Sequence, residues 1–144
     1  MLEKRTLILT EKKKNMNKRP ILVAFSNQKG GVGKSTITVL LASYFNYVRG
    51  IDVAVVDCDY PQFSLEKLRS RDLKNLEKSE YHQRLFCRQF EDNSRKAYPI
   101  ITSRPEQASE IAGRLEGKYD LVFFDLPGTV NSRGVFESVM NMDY

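Results

Sequence analysis

Short runs of apolar residues alternate along the chain with segments of helical spacing. The apolar runs lie in residues 21–26, 52–57 and 121–125, and each contains β-branched side chains. Continuous apolar runs of this length are typical of strands that are buried on both faces of a sheet. A shorter run at 99–102 predicts one further strand. The pattern therefore predicts several buried strands separated by helices.

The segment between the first two runs has the spacing of an amphipathic helix. Its apolar residues recur at i, i+3, i+4, i+7, i+8 and i+11, and Gly50 provides a stop. The residues expected to form the buried face are Ile37, Leu40, Leu41, Tyr44, Phe45 and Val48.

The helices in the second half of the chain are less regular. Residues 63–91 carry leucines and aromatic residues in broken helical spacing among charges, which predicts two helices. Ser103 and Glu106 match a capping box, and the helix that they introduce has its apolar face in 108–115 and ends at Gly117. Since strands and helices alternate, the sequence predicts an α/β fold with a mostly parallel sheet and helices on both faces.

Length and composition agree with a single domain. The chain has 144 residues, of which 41% are hydrophobic and 28% charged, as in a soluble globular protein. No apolar run approaches the roughly 18 residues that a transmembrane helix needs. The two cysteines, Cys58 and Cys87, have no paired spacing, which argues against a disulfide framework and favours a cytoplasmic location.

The excess positive charge is confined to the first twenty residues. The net charge is +5, and residues 1–20 contain seven basic and two acidic side chains, so residues 21–144 are balanced. We therefore expect a flexible basic tail at 1–20 and a folded domain at 21–144. The tail is interpreted as a solubilising arm or the result of a start codon placed too far upstream, and a phosphate-contacting arm is the alternative.

A glycine-rich loop connects the first predicted strand to the first predicted helix. Glycines allow backbone N–H groups to surround phosphate oxygens, Lys34 can reach the β- and γ-phosphates, and the Ser35 hydroxyl can bind Mg²⁺. The loop departs from the general pattern G-x-x-x-x-G-K-[ST] because Gln28 stands at the first glycine. The predicted nucleotide-binding residues are Gly30, Gly31, Val32, Gly33, Lys34, Ser35 and Thr36.

Residues 29–36 resemble the loop K-G-G-x-x-K-[ST] of the deviant Walker A ATPases. That family includes the ParA and Soj partition proteins, the MinD division-site proteins and the nitrogenase iron proteins. The resemblance implies that residues 21–144 are a P-loop ATPase domain that uses ATP and Mg²⁺ and forms an ATP-dependent homodimer. It also implies a catalytic role for Lys29, which would reach the phosphates bound in the facing subunit.

Two aspartates follow the second predicted strand. Asp57 and Asp59 are spaced i, i+2, so on an extended backbone their side chains project to the same side, beside the phosphate loop. Such a pair can hold the hydration shell of Mg²⁺ and orient the attacking water. The resemblance implies that Asp59 is catalytic and positions the water and that Asp57 lies near the metal. The partition branch reads D-x-D-P-Q, whereas here Tyr60 precedes Pro61 and Gln62, so this loop is one residue longer.

The third apolar run ends in Asp125 and resembles a Walker B strand. Such a strand delivers a carboxylate to its carboxyl end, where ligands bind in open α/β sheets. Asp125 would reach Mg²⁺ directly or through a water, so the expected metal-binding residues are Ser35, Asp57 and Asp125. Residues 126–129 resemble the second switch, whose backbone senses the γ-phosphate.

The resemblance favours the partition branch. It implies an ATPase that acts as an ATP-dependent dimer switch in DNA partition, maintenance or transfer, with non-specific DNA and a ParB-like activating protein as partners. A MinD-like membrane-associated ATPase and a non-hydrolysing nucleotide-binding regulatory module are the alternatives. An ordinary P-loop kinase or synthetase is a further alternative, against which Lys29 argues. Because family members are longer, we expect the chain to be an N-terminal portion that is truncated after the Walker B strand.

Overall fold

A computed structural model describes residues 19–25, 31–91, 95–128, 137 and 139–144. The strands are β1 (Ile21–Phe25), β2 (Val53–Asp57), β3 (Ile100–Thr102) and β4 (Leu121–Asp125). The helices are α1 (Lys34–Ser43), α2 (Ser64–Leu76), α3 (Glu80–Glu91) and α4 (Ala108–Leu115). The predicted strands and helices are thus confirmed, including the two helices within 63–91. In this described part of the chain, none of the helices has the length and apolar character required to cross a membrane.

The four strands form one parallel sheet in the order β1-β4-β2-β3. Strand β4 lies between β1 and β2, and Asp125 is in register with both Phe25 and Asp57. The strand ends that precede the glycine loop, the aspartate pair and the second switch therefore lie side by side. The predicted α/β class with a mostly parallel sheet is confirmed.

Both faces of the sheet are covered. Every residue of β2 and β4 is buried, and alternate side chains enter two separate core clusters. Val56 and Phe124 pack with α4 on one face. Val55 and Phe123 lie on the other face, in a cluster that includes one residue from α1 and one from α2, Ala42 and Leu65. The expected helices on both faces are therefore present.

The buried face of helix α1 differs from the predicted one. The fully or almost fully buried residues of α1 and the π-helical turn Tyr44–Val48 that continues it are Thr38, Ala42 and Asn46. Leu41 and Phe45 are partly buried against the core, as predicted. Four residues assigned to the buried face are instead exposed, by 43%, 63%, 43% and 69% respectively: Ile37, Leu40, Tyr44 and Val48. Because this helix carries apolar residues on two sides, periodicity alone does not identify the side that faces the sheet.

The predicted capping box is not formed. The Ser103 hydroxyl donates to the carbonyl of Arg104 (3.0 Å), and the Ser103 backbone N–H donates to the carbonyl of Asp57 (2.9 Å). Helix α4 begins at Ala108, after a 3-10 turn at Pro105–Gln107. The prediction was wrong because Ser103 continues the pairing of β3 with β2 instead of capping the helix.

Candidate nucleotide-binding site

A cleft of about 600 Å³ opens at the carboxyl ends of the central strands. Its volume lies within the usual range of small-molecule sites. Three segments line it: the glycine loop with the first turn of α1, the loop between β2 and α2, and the residues after β4. The lining residues are Gly31, Val32, Gly33, Lys34, Ser35, Thr36, Asp59, Tyr60, Gln62, Ser64, Asp125, Leu126, Pro127 and Gly128.

The glycine loop requires glycine at two described positions. Gly31 and Gly33 have φ angles of +73° and +84°, which lie in the left-handed region that favours glycine. Gly33 immediately precedes α1, and its carbonyl accepts the first helical hydrogen bond from the N–H of Ile37 (2.9 Å). The first turn of α1 therefore lines the cleft, and the start of a helix favours an anion because its first N–H groups have no partner within the helix. The predicted catalytic Lys29, like Gly30, lies outside the described residues.

Ser35 and Asp125 form the closest polar contact in the described lining of the cleft. The Ser35 Oγ donates a 2.6 Å hydrogen bond to Oδ2 of Asp125. Burial raises the pKa of Asp125 to about 6, and the charges of Asp57 and Asp59 add to this rise, whereas the Ser35 hydrogen bond and the charge of Lys34 oppose it. The second oxygen, Oδ1, is buried and accepts no hydrogen bond within the described part of the chain. A buried carboxylate oxygen that lacks a donor, beside a hydroxyl oxygen, fits a divalent cation.

Asp57 uses its carboxylate to anchor helix α2. Its Oδ2 accepts the backbone N–H groups of Leu65 (2.9 Å) and Glu66 (3.1 Å), and its Oδ1 accepts that of Asp59 (3.2 Å). Burial raises the pKa of this carboxyl, and the three N–H donors oppose the rise. The structure therefore gives Asp57 a structural role at the first turn of α2, behind the described lining of the cleft. Its place near a metal stays a prediction.

Asp59 lines the cleft and is held there by a side chain that the sequence analysis missed. The Ser64 Oγ donates a 3.0 Å hydrogen bond to Oδ2 of Asp59. Ser64 is the first residue of α2 and also lines the cleft. Serine at a predicted helix start is a capping signal, and that signal could have identified it as the partner of a nearby polar group.

The segment after β4 lies where the second switch was expected. Leu126, Pro127 and Gly128 line the cleft, and the backbone N–H of Cys58 donates to the carbonyl of Asp125 (3.0 Å). This bond continues the pairing of β2 with β4 beyond Asp57. The two aspartate-bearing loops are thus fixed to each other at their bases. Thr129 lies outside the described residues.

The site combines a glycine loop between a strand and a helix, lysine and serine at the start of that helix, and a buried aspartate on the neighbouring strand of the sheet. This combination defines a P-loop nucleotide-binding site. Residues 23–137 match the family described as the CbiA, or CobQ/CobB/MinD/ParA, nucleotide-binding domain. The chain belongs to this family. Nucleotide-binding chemistry was thus correctly predicted at this level.

Solved structures share the fold. The chain is similar to FlhF complexed with GMPPNP/Mg(2+), with a TM-score of 0.51 and 17% identity over 99% of this chain and 50% of that one. It is also similar to protein DIP2308 from Corynebacterium diphtheriae, with a TM-score of 0.52 and 19% identity over 83% of this chain and 56% of that one. The chain thus spans about half the length of these structures. No curated protein sequence matches it.

Proposed function

We propose that the protein binds Mg-ATP and hydrolyses it slowly, as a ParA-like ATPase that acts as a dimer switch. The contact between Ser35 and Asp125 is the observation that carries the binding of a magnesium–nucleotide complex. It joins the start of the P-loop helix to the end of the Walker B strand. The hydroxyl proton is directed at Asp125, so the lone pairs of the Ser35 oxygen stay available to a cation.

The described residues supply the parts that phosphoryl transfer needs. Lys34 and the N–H groups at the start of α1 would bind the phosphates. Ser35 and Asp125 would hold Mg²⁺, whose chemistry there is the neutralisation of charge on phosphate oxygens. Asp59, oriented by Ser64, would accept a hydrogen bond from the attacking water and so orient it.

The proposed dimer and its proposed partners are supported by features of the sequence. The resemblance at residues 29–36 supports a homodimer in which Lys29 contacts the nucleotide of the facing subunit. The Pro61-Gln62 pair after the aspartates supports the partition branch, with non-specific DNA and a ParB-like activating protein as partners in the cytoplasm. DNA partition, maintenance or transfer is the process that we propose for this switch.

Nucleotide titrations test the proposal directly. Fluorescent ATP and GTP analogues are titrated with and without Mg²⁺, phosphate release is measured, and light scattering reports the oligomeric state. We expect Mg²⁺-dependent binding of ATP, slow hydrolysis and a dimer with ATP but not with ADP. Absence of binding to either nucleotide would refute the site, and preference for GTP would refute the choice of base. Cosedimentation with anionic vesicles instead of DNA would favour the MinD-like alternative.

A further inference from the structure

Tyr60 lines the cleft directly after Asp59, and its ring contacts two other side chains. The rings of Phe63 and Tyr60 form a T-shaped pair with a centroid distance of 5.7 Å and an interplanar angle of 73°. The guanidinium carbon of Arg104 lies over the Tyr60 ring, 4.9 Å from its centroid. A cation at this distance over an aromatic face is attracted by the negative charge of the ring face. Tyr60 is nevertheless 49% exposed, so burial alone does not fix it.

The residues on both sides of Arg104 are buried, and this fixes the position from which its side chain reaches Tyr60. The residue before it, Ser103, is buried and donates its backbone N–H to the carbonyl of Asp57 (2.9 Å). The residue after it, Pro105, is also buried and starts the 3-10 turn. The backbone of Arg104 is thus fixed between two buried residues, while its exposed side chain crosses from the end of β3 to the loop after β2.

The loop that carries Asp59 contains a residue in a strained conformation, which outside contacts help to hold. Phe63 has a φ angle of +46°, in the left-handed region that is unfavourable for an aromatic residue. The loop is closed by the hydrogen bond from the Phe63 N–H to the carbonyl of Asp59 (2.8 Å). A strained turn persists only where surrounding contacts hold it, and the ring contacts of Tyr60 join this turn to Arg104.

We propose that Tyr60 and Arg104 are positioning residues that hold the loop 58–63 so that Asp59 stays directed into the cleft. This inference rests on the proposed hydrolytic function. Neither side chain has to contact the nucleotide phosphates, since Lys34 and the helix start serve them. Loss of the pair therefore lowers the rate of hydrolysis while nucleotide affinity is retained.

Steady-state kinetics of the full chain test this division between rate and affinity. Arg104→Ala and Tyr60→Leu should each lower kcat about two- to fivefold, the range of an exposed cation–π contact, with KM unchanged within about twofold. Arg104→Lys and Tyr60→Phe keep a cation and a ring, so they should retain most of kcat. The double variant should be no slower than the slower single variant, because each change removes the same contact.

A matched control is available in the same chain. The guanidinium carbon of Arg69 lies 4.8 Å from the centroid of the Tyr98 ring, and neither residue lines the cleft. Arg69→Ala loses the same kind of contact and should leave kcat unchanged. Unchanged kcat in both Arg104→Ala and Tyr60→Leu, or effects that multiply in the double variant, would overturn the proposal.

A second measurement does not depend on turnover. In Arg104→Ala, amide exchange at Phe63 should accelerate about two- to fivefold by NMR, because the turn opens more often, whereas Arg69→Ala should leave it unchanged. Equal exchange in wild type and Arg104→Ala would refute the proposal even if the protein bound nucleotide without hydrolysing it. Faster exchange in Arg104→Ala, together with no hydrolysis by the wild-type protein, would refute the ATPase function and limit the pair to holding the loop.

Discussion

The Oγ of Ser35 lies 2.6 Å from Oδ2 of Asp125, although the two residues belong to a helix and a strand that are far apart in sequence. Each residue satisfies part of the other's hydrogen-bonding capacity, and each leaves oxygen lone pairs unused. A hydroxyl and a buried carboxylate arranged in this way would supply two of the six ligands of an octahedral magnesium site, and water and phosphate oxygens would supply the others. The following predictions test this arrangement and the fold that supports it.

Removal of the hydroxyl should weaken the metal site. Ser35→Ala deletes one proposed ligand, so Mg²⁺ affinity in the presence of nucleotide should fall about 10- to 100-fold. Ser35→Thr keeps the hydroxyl and should retain binding. Ser43→Ala, on the same helix, removes a hydroxyl that contacts Tyr98 and serves as the control. Calorimetric titration of Mg²⁺ into the nucleotide complex measures the effect, and equal affinity in Ser35→Ala and wild type would contradict the assignment.

Lys34 should dominate phosphate binding. Loss of a charged hydrogen bond of about 1.5–3 kcal/mol predicts that Lys34→Ala binds ATP about 10- to 150-fold more weakly. Lys74→Ala, an exposed lysine in the last turn of α2, is the matched control and should bind normally. Fluorescence titration measures both variants. Wild-type affinity in Lys34→Ala would exclude a phosphate-binding role for the loop.

The buried carboxyl of Asp125 should make the nucleotide-free protein less stable as pH rises. Its pKa is raised by burial from 3.8 to about 6, so the folded state keeps the proton at pH values where the unfolded chain has lost it. The corresponding stability is fully present below pH 3.8 and is lost as pH rises through about 6. Asp125→Asn should therefore raise the Tm at pH 7–8 and change it little near pH 4.

Mg²⁺ binding should depend on pH in the opposite direction to the stability of the nucleotide-free protein. Protons compete with Mg²⁺ for the Asp125 carboxylate, so Mg²⁺ affinity should fall as pH decreases below about 6. Asp72→Asn, which changes an exposed carboxylate beside Arg71, controls for surface charge in both measurements. A pH-independent difference in Tm between Asp125→Asn and wild type would show that burial does not shift this group.

Asp57 should contribute to stability because it satisfies buried backbone donors. Asp57→Ala leaves the N–H groups of Leu65 and Glu66 without their acceptor, at a cost of about 1–3 kcal/mol in the free energy of unfolding. Urea denaturation measures the change, with Asp72→Ala as the exposed control. Unfolding at the same urea concentration as wild type would contradict the anchoring role.

The sequence predicted the sheet and the phosphate-loop side of the cleft because both depend on local patterns. Continuous apolar runs identify buried strands, and the glycine loop at a strand–helix junction identifies the phosphate site. The anchoring role of Asp57 was not predictable, because the N–H groups that its Oδ2 accepts belong to the start of α2, whose position depends on the loop conformation. The exposed apolar side of α1 was missed because Ile37 and Leu41 follow equally helical spacings. The contact of Arg104 with Tyr60 was not predictable from local patterns, because it depends on the pairing of β3 with β2.

The strand order also determines when the site can exist during synthesis. Strand β4 lies between β1 and β2, and Ile21 of the first strand pairs with Leu121 of the last described one. The emerging chain therefore cannot assemble its central sheet until β4 has left the ribosome. Since β4 also supplies Asp125, the nascent protein gains its central sheet and its proposed metal ligand in a single event. Incomplete translation products that end before residue 125 would lack both.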